Sequence, residues 1–375
     1  MSGLYFHIPF CERRCRYCAF ASSVYEPGLA DRYLRCLGRE AAGRATEAGG
    51  EPPDTVYVGG GTPTCLSPGG LRRLGEIVSS TAGPGSVKEM TVEANPGSCD
   101  ARRLAVLREF GFDRVSMGAQ SFDDAELALL GRIHRAGDTS DAVRACRRAG
   151  FGAVSLDLMF GLPGQSVETF MRSLEAALEL EPDHLSLYGL IWEEGTPLAE
   201  ELSAGLTSPC PQELEREMYL GAVERTAAAG YRHYEIANFA LPGRECLHNV
   251  NYWIGGEYTG IGAGAFSFRG GERFGNARAP RKYCARVEDC GEAVDERERL
   301  EPERAAREAL MLGLRLTEGV DLAEFRARTG FDAAGLFGGS LEEHRGAGRL
   351  ELSGGRLKLT LEGILVANSV MADFI

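Results

Sequence analysis

Long apolar runs, a surplus of basic charge and a second cysteine pair are all missing from this chain. No stretch approaches the roughly 20 apolar residues of a membrane span, which excludes an integral helical membrane protein. Met1 leads directly into a strand-like run, leaving no room for a signal peptide, so a cytoplasmic location is expected. Lys and Arg total 41 against 54 Asp and Glu, a formal net charge of −13. Phosphate recognition needs basic patches, so no nucleic-acid partner is expected. The 11 cysteines do not read as a disulfide framework in a reducing compartment. No Cys-x-x-Cys or His-x-x-x-His pair follows the first cysteine group, which argues against a zinc knuckle.

What is present is an ordinary globular composition, 375 residues with 44% hydrophobic and 25% charged, enough for one large α/β domain and a smaller one. Short β-branched and aromatic runs alternate with amphipathic segments, the pattern of a parallel sheet built from βα units. The strands are expected at Leu4–Ile8, Thr55–Val58, Glu89–Glu93, Arg114–Met117, Ala153–Met159 and His184–Tyr188, with a seventh extended run at Arg232–Ile236. Helices are expected at 28–48, 67–82, 100–110, 139–150, 166–180 and 212–229, with Ser67, Asp100 and Ser166 as starts and Gly111 and Gly150 as stops. Six such units predict an incomplete (β/α)6-type barrel over residues 1–240, with its chemistry on the C-terminal face of the strands. Residues 241–300 read as a connecting region. Residues 301–375 read as a small α+β unit of winged-helix type, with helices at 303–314, 321–328, 333–346 and 361–373 and two strands around Gly354-Gly355. The mixed charge of Leu322–Arg328 favours a lid or docking module over DNA binding.

Cys11, Cys15 and Cys18 follow the first strand within one loop. Thiolates select iron–sulfur clusters, zinc or copper(I). Three thiolates on a cubane leave one iron without a protein ligand, open to an external molecule. A zinc site completed by His7 is the alternative, and His7 lies on the strand rather than at ligand spacing. The spacing Cys-x-x-x-Cys-x-x-Cys, with Tyr17 before the last cysteine, resembles the signature of the radical S-adenosylmethionine (SAM) superfamily. That resemblance implies a [4Fe–4S] cluster whose open iron chelates SAM and cleaves it to a 5′-deoxyadenosyl radical.

Further motifs end the following strands. Gly59-Gly-Gly-Thr62 allows backbone to approach a ligand closely, and Glu93, Gln120, Arg132 and Asp157 supply a ring of polar groups suited to ribose hydroxyls and a carboxylate. With Tyr5-Phe-His-Ile-Pro-Phe-Cys11 and His248-Asn249-Val-Asn-Tyr252-Trp253, the chain resembles, almost from end to end, the oxygen-independent coproporphyrinogen III oxidase family and within it the heme-chaperone (HemW) branch. The resemblance implies that Tyr5, Gly60, Gly61, Thr62, Glu93, Gln120, Arg132 and Asp157 contact SAM. Where two SAM molecules bind, Gln120, Arg132 and Asp157 belong partly to the second. It also implies heme or another tetrapyrrole as ligand, a heme-accepting apo-protein, an electron donor such as a flavodoxin or ferredoxin, and room for peripheral association with membrane-bound recipients. His248 is the expected axial ligand, with Cys246 a second candidate, and Tyr252 and Trp253 offer flat faces to a macrocycle. Phe20 stands where the oxidases carry a further cysteine, and Ala19 and Phe266 depart from the family pattern. The oxidase activity, conversion of propionates to vinyls, and another tetrapyrrole-directed radical SAM activity stay as alternatives.

Overall fold

The computed structural model describes residues 1–47, 52–83, 85 and 87–375; the expected end of the first helix at residue 48 lies outside them. Twelve strands form one sheet: β1 (Ser2–Ile8), β2 (Thr55–Gly60), β3 (Glu89–Ala94), β4 (Arg114–Gln120), β5 (Ala153–Phe160), β6 (His184–Gly189), β7 (Arg232–Glu235), β8 (Asn238–Ala240), β9 (Glu257–Ile261), β10 (Phe266–Arg269), β11 (Glu272–Asn276) and β12 (Val294–Arg299). Their order is β12-β11-β10-β9-β1-β2-β3-β4-β5-β6-β8-β7. β1 to β6 run parallel in sequence order, and β9 adds a further parallel strand beside β1. The sheet is open, as an incomplete barrel requires.

Side chains of alternate residues along a strand point to opposite faces, and here the two faces differ in kind. Val56, Val58, Val92, Val115, Met117, Val154, Leu156, Leu158, Leu185 and Leu187 are buried in the main apolar core with residues of the helices at 27–47, 68–82, 101–109, 136–148 and 167–178. The other face carries Tyr5, Tyr57, Glu93, Ser116, Asp157 and Ser186. Register brings Tyr5 beside Tyr57, Glu93 beside Ser116 and Asp157 beside Ser186. The barrel therefore has a polar lumen.

Ser67, Asp100 and Ser166 cap their helices as expected, each side chain accepting from backbone N–H groups of the first turn. The seventh extended run is an antiparallel edge rather than a further barrel unit: β7 pairs with β8, and β8 with β6. Residues 241–300, read from sequence as a connection, hold four strands of the main sheet and helices at Leu247–Trp253 and Pro280–Cys290. Their run at 260–264 is glycine-rich, with Ile261 its one β-branched residue, and so gives little strand signal.

The last 75 or so residues pack around their own apolar cluster, which includes Leu310, Phe325, Phe337, Leu357, Val370 and Phe374. Helices at 302–313, 322–329 and 333–346 accompany a small antiparallel sheet of Val320–Asp321, Arg356–Leu359 and Leu350–Ser353. The expected helix over 361–373 is two helices, 361–365 and 367–372, separated at Val366, whose backbone leaves the helical region. This unit is tied to β7 through Ile236 N–H to Arg315 O and an ion pair from Arg315 to the fully buried Glu235.

Candidate cluster and SAM site

The cysteine loop leaves β1 and folds back over the strand ends. Tyr25 N–H bonds Cys11 O, Arg16 N–H bonds Leu130 O, and Cys18 N–H bonds Cys15 O. Cys11, Cys15 and Cys18 are unpaired and half-exposed. Burial pushes the Cys11 thiol up to about 11 and Cys18 in the same direction. Left alone, the Cys11 and Cys18 thiols stay protonated at neutral pH, and a bound metal would draw off the protons. Among the described residues no group of three or more His, Cys, Asp or Glu side chains converges on a single metal ion. A cubane, by contrast, spreads three thiolates over three irons. His7 does not complete a zinc site: Nδ1 bonds Tyr5 Oη at 3.0 Å and Nε2 bonds Ala21 O at 2.8 Å.

The glycine loop packs directly against the cysteine loop. Gly61 N–H bonds Ile8 O and Thr62 N–H bonds Phe10 O. A Cβ on Gly61 would lie 2.6 Å from Phe10 O, and one on Gly60, at φ +110°, would lie 2.4 Å from the His7 ring. Only glycine permits that approach and that backbone.

Arg132 ties the cysteine loop to the strand ends. Its guanidinium donates to Cys15 Sγ at 3.3 Å, Asn95 Oδ1 at 2.5 Å and Gly118 O at 2.6 Å. Asn95 in turn donates to Thr62 Oγ1 at 2.8 Å, and Thr62 to Cys11 Sγ at 3.7 Å. Gln120 holds a positive φ of 67° at a register shift in β4, with its amide beside Gly118. A non-glycine residue held there is a strained position, and such positions gather at functional sites.

Deeper in the lumen, Glu93 accepts from Gly60 N–H at 2.8 Å and from Tyr57 Oη–H at 3.0 Å. Asp157 accepts from Ser116 at 3.3 Å. Burial raises Glu93 to about 7, with Asp157 adding to the shift, and burial raises Asp157 to about 6 against the lowering from Ser186, Ser116 and Arg132. Tyr5 stacks on Tyr57, with ring centroids 6.2 Å apart. Tyr17 stands with the apolar residues Leu130, Met159, Leu162, Leu190 and Leu198. Asn95, Tyr57, Ser116 and Ser186 belong to this lumen and were not singled out from sequence. Polar residues at every second position of otherwise β-branched strands are the signal that marks them.

The expectation for His248 does not fit the geometry. It lies at the opposite end of the strands, where Nδ1 bonds Thr55 Oγ1 at 2.8 Å and Nε2 bonds Tyr252 Oη at 2.9 Å. Its ring stacks on Tyr57 at 5.1 Å and the residue is 1% exposed. Burial lowers its pKa to about 3. Both nitrogens are engaged and the ring is sealed, so His248 is a floor residue of the barrel and offers iron no lone pair. Cys246 is equally enclosed, its thiol facing Glu89 and pushed up to about 12 by burial.

Two family models match the chain, that of the Radical SAM superfamily over residues 5–177 and the HemN C-terminal domain over 300–366. The fold, the three-cysteine loop and these matches define a radical SAM protein, which implies a [4Fe–4S] cluster and SAM as cofactors. The chain is 36% identical over 376 residues to "Heme chaperone HemW" of Bacillus subtilis (strain 168), covering 100% of this chain and 99% of that one. It is 37% identical over 388 residues to "Radical S-adenosyl methionine domain-containing protein 1, mitochondrial" of Bos taurus, covering 100% and 87%. The chain belongs to the HemW family of radical SAM proteins. Its fold matches the crystallised coproporphyrinogen III oxidase HemN of Escherichia coli with a TM-score of 0.87 over 100% of this chain and 89% of that one, at 23% identity.

Two outcomes follow for stability. Glu93 and Asp157 have folded pKa values above their unfolded ones, so each destabilises the cofactor-free protein as pH rises from the unfolded value through the folded one. Buried histidines such as His248 and His134 drive stability the other way over the same range, so the carboxylate is read by difference. In urea unfolding the stability of Glu93→Gln relative to wild type should grow from pH 5 to pH 8, to on the order of 2 kcal/mol. An unchanged pH profile in that variant would place the carboxylate in ordinary solvent. His248→Ala strands two hydroxyls and opens a cavity, and should cost about 3 kcal/mol in the same assay without any heme present.

Proposed function

We propose that this protein is a heme chaperone that carries a [4Fe–4S] cluster on Cys11, Cys15 and Cys18, binds SAM in the polar lumen, and binds heme for delivery to an apo-protein. The observation that carries the reading is the joined arrangement of the three-cysteine loop, the glycine loop and the lumen carboxylates, in a chain similar over its whole length to proteins named heme chaperones. When bound, cluster and SAM supply one-electron chemistry or a switching ligand.

This chain's own residues do the holding. Backbone groups of Gly60, Gly61 and Thr62 face the zwitterionic end of SAM. Glu93 and Asp157 are acids poised to ionise beside a cation, since an ammonium or sulfonium favours their charged forms. Gln120 and Arg132 take the carboxylate and ribose side, and Tyr5 lines the floor of that pocket. Where a second SAM binds, Gln120, Arg132 and Asp157 would belong partly to it. Reduction calls for a small donor such as a flavodoxin or ferredoxin. Membrane-bound recipients would be reached peripherally, as no helix among the described residues is long and apolar enough to cross a membrane. The coproporphyrinogen oxidase reading is the weaker one, because Phe20 stands where a cysteine is expected and is 68% exposed at the loop.

Anaerobic reconstitution with iron and sulfide tests the cluster. Cys15→Ser should lose nearly all cluster absorbance, since an alcohol is a far poorer iron ligand than a thiolate; a full cluster in that variant would refute the ligand set. The reconstituted wild type should bind heme saturably, pass it to an apo-hemoprotein on mixing, and form no vinyl product from coproporphyrinogen. Turnover of coproporphyrinogen without heme transfer would establish the oxidase instead.

A further inference from the structure

The run from Cys11 to Phe20 carries three arginines and one acid, Glu12, in a chain whose net charge is −13. Arg16 is paired with Glu201. Arg14 donates to the carbonyl of Cys18, and Arg278, from the segment after β11, donates to that of Ala19, both at 3.4 Å. Among the described residues neither these two nor exposed Arg13 has a carboxylate within ion-pair distance. Each keeps guanidinium N–H groups for an outside acceptor.

Two apolar side chains project beside these cations. Phe20, next to Ala19, is 68% exposed, and Ile133 is 51% exposed. Between Arg13 and Ile133 a notch reaches Cys15 and Arg132, with Glu12 also in its lining. Unpaired cations, apolar contact and an approach to a cluster cysteine therefore coincide on this loop.

A cluster held on these cysteines must be reduced from outside, and electron transfer weakens steeply with distance, so a carrier has to sit over the cysteine loop. An acidic protein is repelled by the chain as a whole and steered toward a local basic patch. Phe20 and Ile133 supply apolar contact on the small scale of brief redox encounters. We propose that Arg13, Arg14 and Arg278, with Phe20 and Ile133, form the docking surface for an acidic one-electron carrier protein. The proposal rests on the cluster reading of Cys11, Cys15 and Cys18. In the step itself the reduced carrier gives up one electron and the oxidised cluster takes it up; no bond forms or breaks and no proton moves.

The test measures binding of fluorescently labelled flavodoxin, as the acidic carrier, to the full-length protein with and without its cluster. Wild type should bind it in both forms, and less tightly as salt rises. Arg13→Glu combined with Arg14→Glu, and separately Ile133→Glu on a different loop, should each weaken binding by about tenfold or more. Arg148→Glu, exposed at the far end of the barrel, should bind as wild type does. In the reconstituted variants, reduction by flavodoxin should slow in parallel with binding, while reduction by photoreduced deazariboflavin, a small molecule that needs no docking surface, keeps its wild-type rate. Wild-type affinity in the double variant, or an equal loss in Arg148→Glu, would overturn the surface. Binding of phosphatidylglycerol vesicles in place of flavodoxin would assign these residues to a membrane and overturn the proposal. A wild type that takes up its cluster yet binds no flavodoxin would overturn the docking surface alone. One that takes up no cluster would overturn the ligand reading of the cysteines and this proposal with it.

Discussion

The guanidinium of Arg132 is the tie on which the site depends. It joins a cysteine sulfur to the ends of β3 and β4, and through Asn95 and Thr62 the same run of hydrogen bonds reaches a second cysteine. A cation in a water-poor environment needs compensating anionic or carbonyl partners; Asn95 Oδ1 and the Gly118 carbonyl supply two, and a cluster held on the cysteine thiolates would supply the anion. The loop therefore lies where it does because a charge from another βα unit requires it there. The glycines follow from the same demand, since Gly60 and Gly61 let the neighbouring loop close within contact of Phe10 and His7.

The barrel gives up stability for chemistry. An interior lined by Val and Leu would be the stable solution, yet this one places two carboxyls, two serines and two tyrosines between strands whose outer faces are uniformly apolar. The raised pKa values of Glu93 and Asp157 measure that cost. A cationic ligand recovers it, because it stabilises the ionised forms that the unliganded lumen disfavours. At the other end the barrel is closed by a different polar layer. Glu89 accepts from the backbone N–H groups of Leu247 and His248 and so caps the short helix that carries His248 and Tyr252.

Much of this was legible in the amino-acid sequence. The six parallel strands, the capped helices and the cysteine and glycine loops follow from local rules that tertiary structure did not override. Glu93 and Asp157 could be placed because each sits in a strand whose start was visible, whereas Arg132, in the loop after the helix at 124–129, was placed by the family resemblance alone. Three features were not legible. β9 to β12 lie in glycine-rich or charged segments whose strand character comes from pairing, β9 with β1 and β10 to β12 in turn onto β9, rather than from propensity. The role of Asn95 depends on a partner 37 residues away. The enclosure of His248 depends on Thr55, at the start of a strand nearly 200 residues earlier in the chain. A histidine beside aromatics reads as a ligand from sequence, and only the fold shows both of its nitrogens occupied.

The central claim is that the cysteine loop and the lumen form one site, in which Cys11, Cys15 and Cys18 would hold the cluster and the glycine loop and Glu93 would hold SAM beside it. Electron paramagnetic resonance of the reduced, reconstituted protein tests it most directly, with spectra recorded before and after addition of SAM. A ligand reaching the open iron should change the g-values of the reduced cluster. A spectrum that SAM leaves unaltered, in a protein with full iron content, would mean that cluster and lumen are separate and would contradict the account.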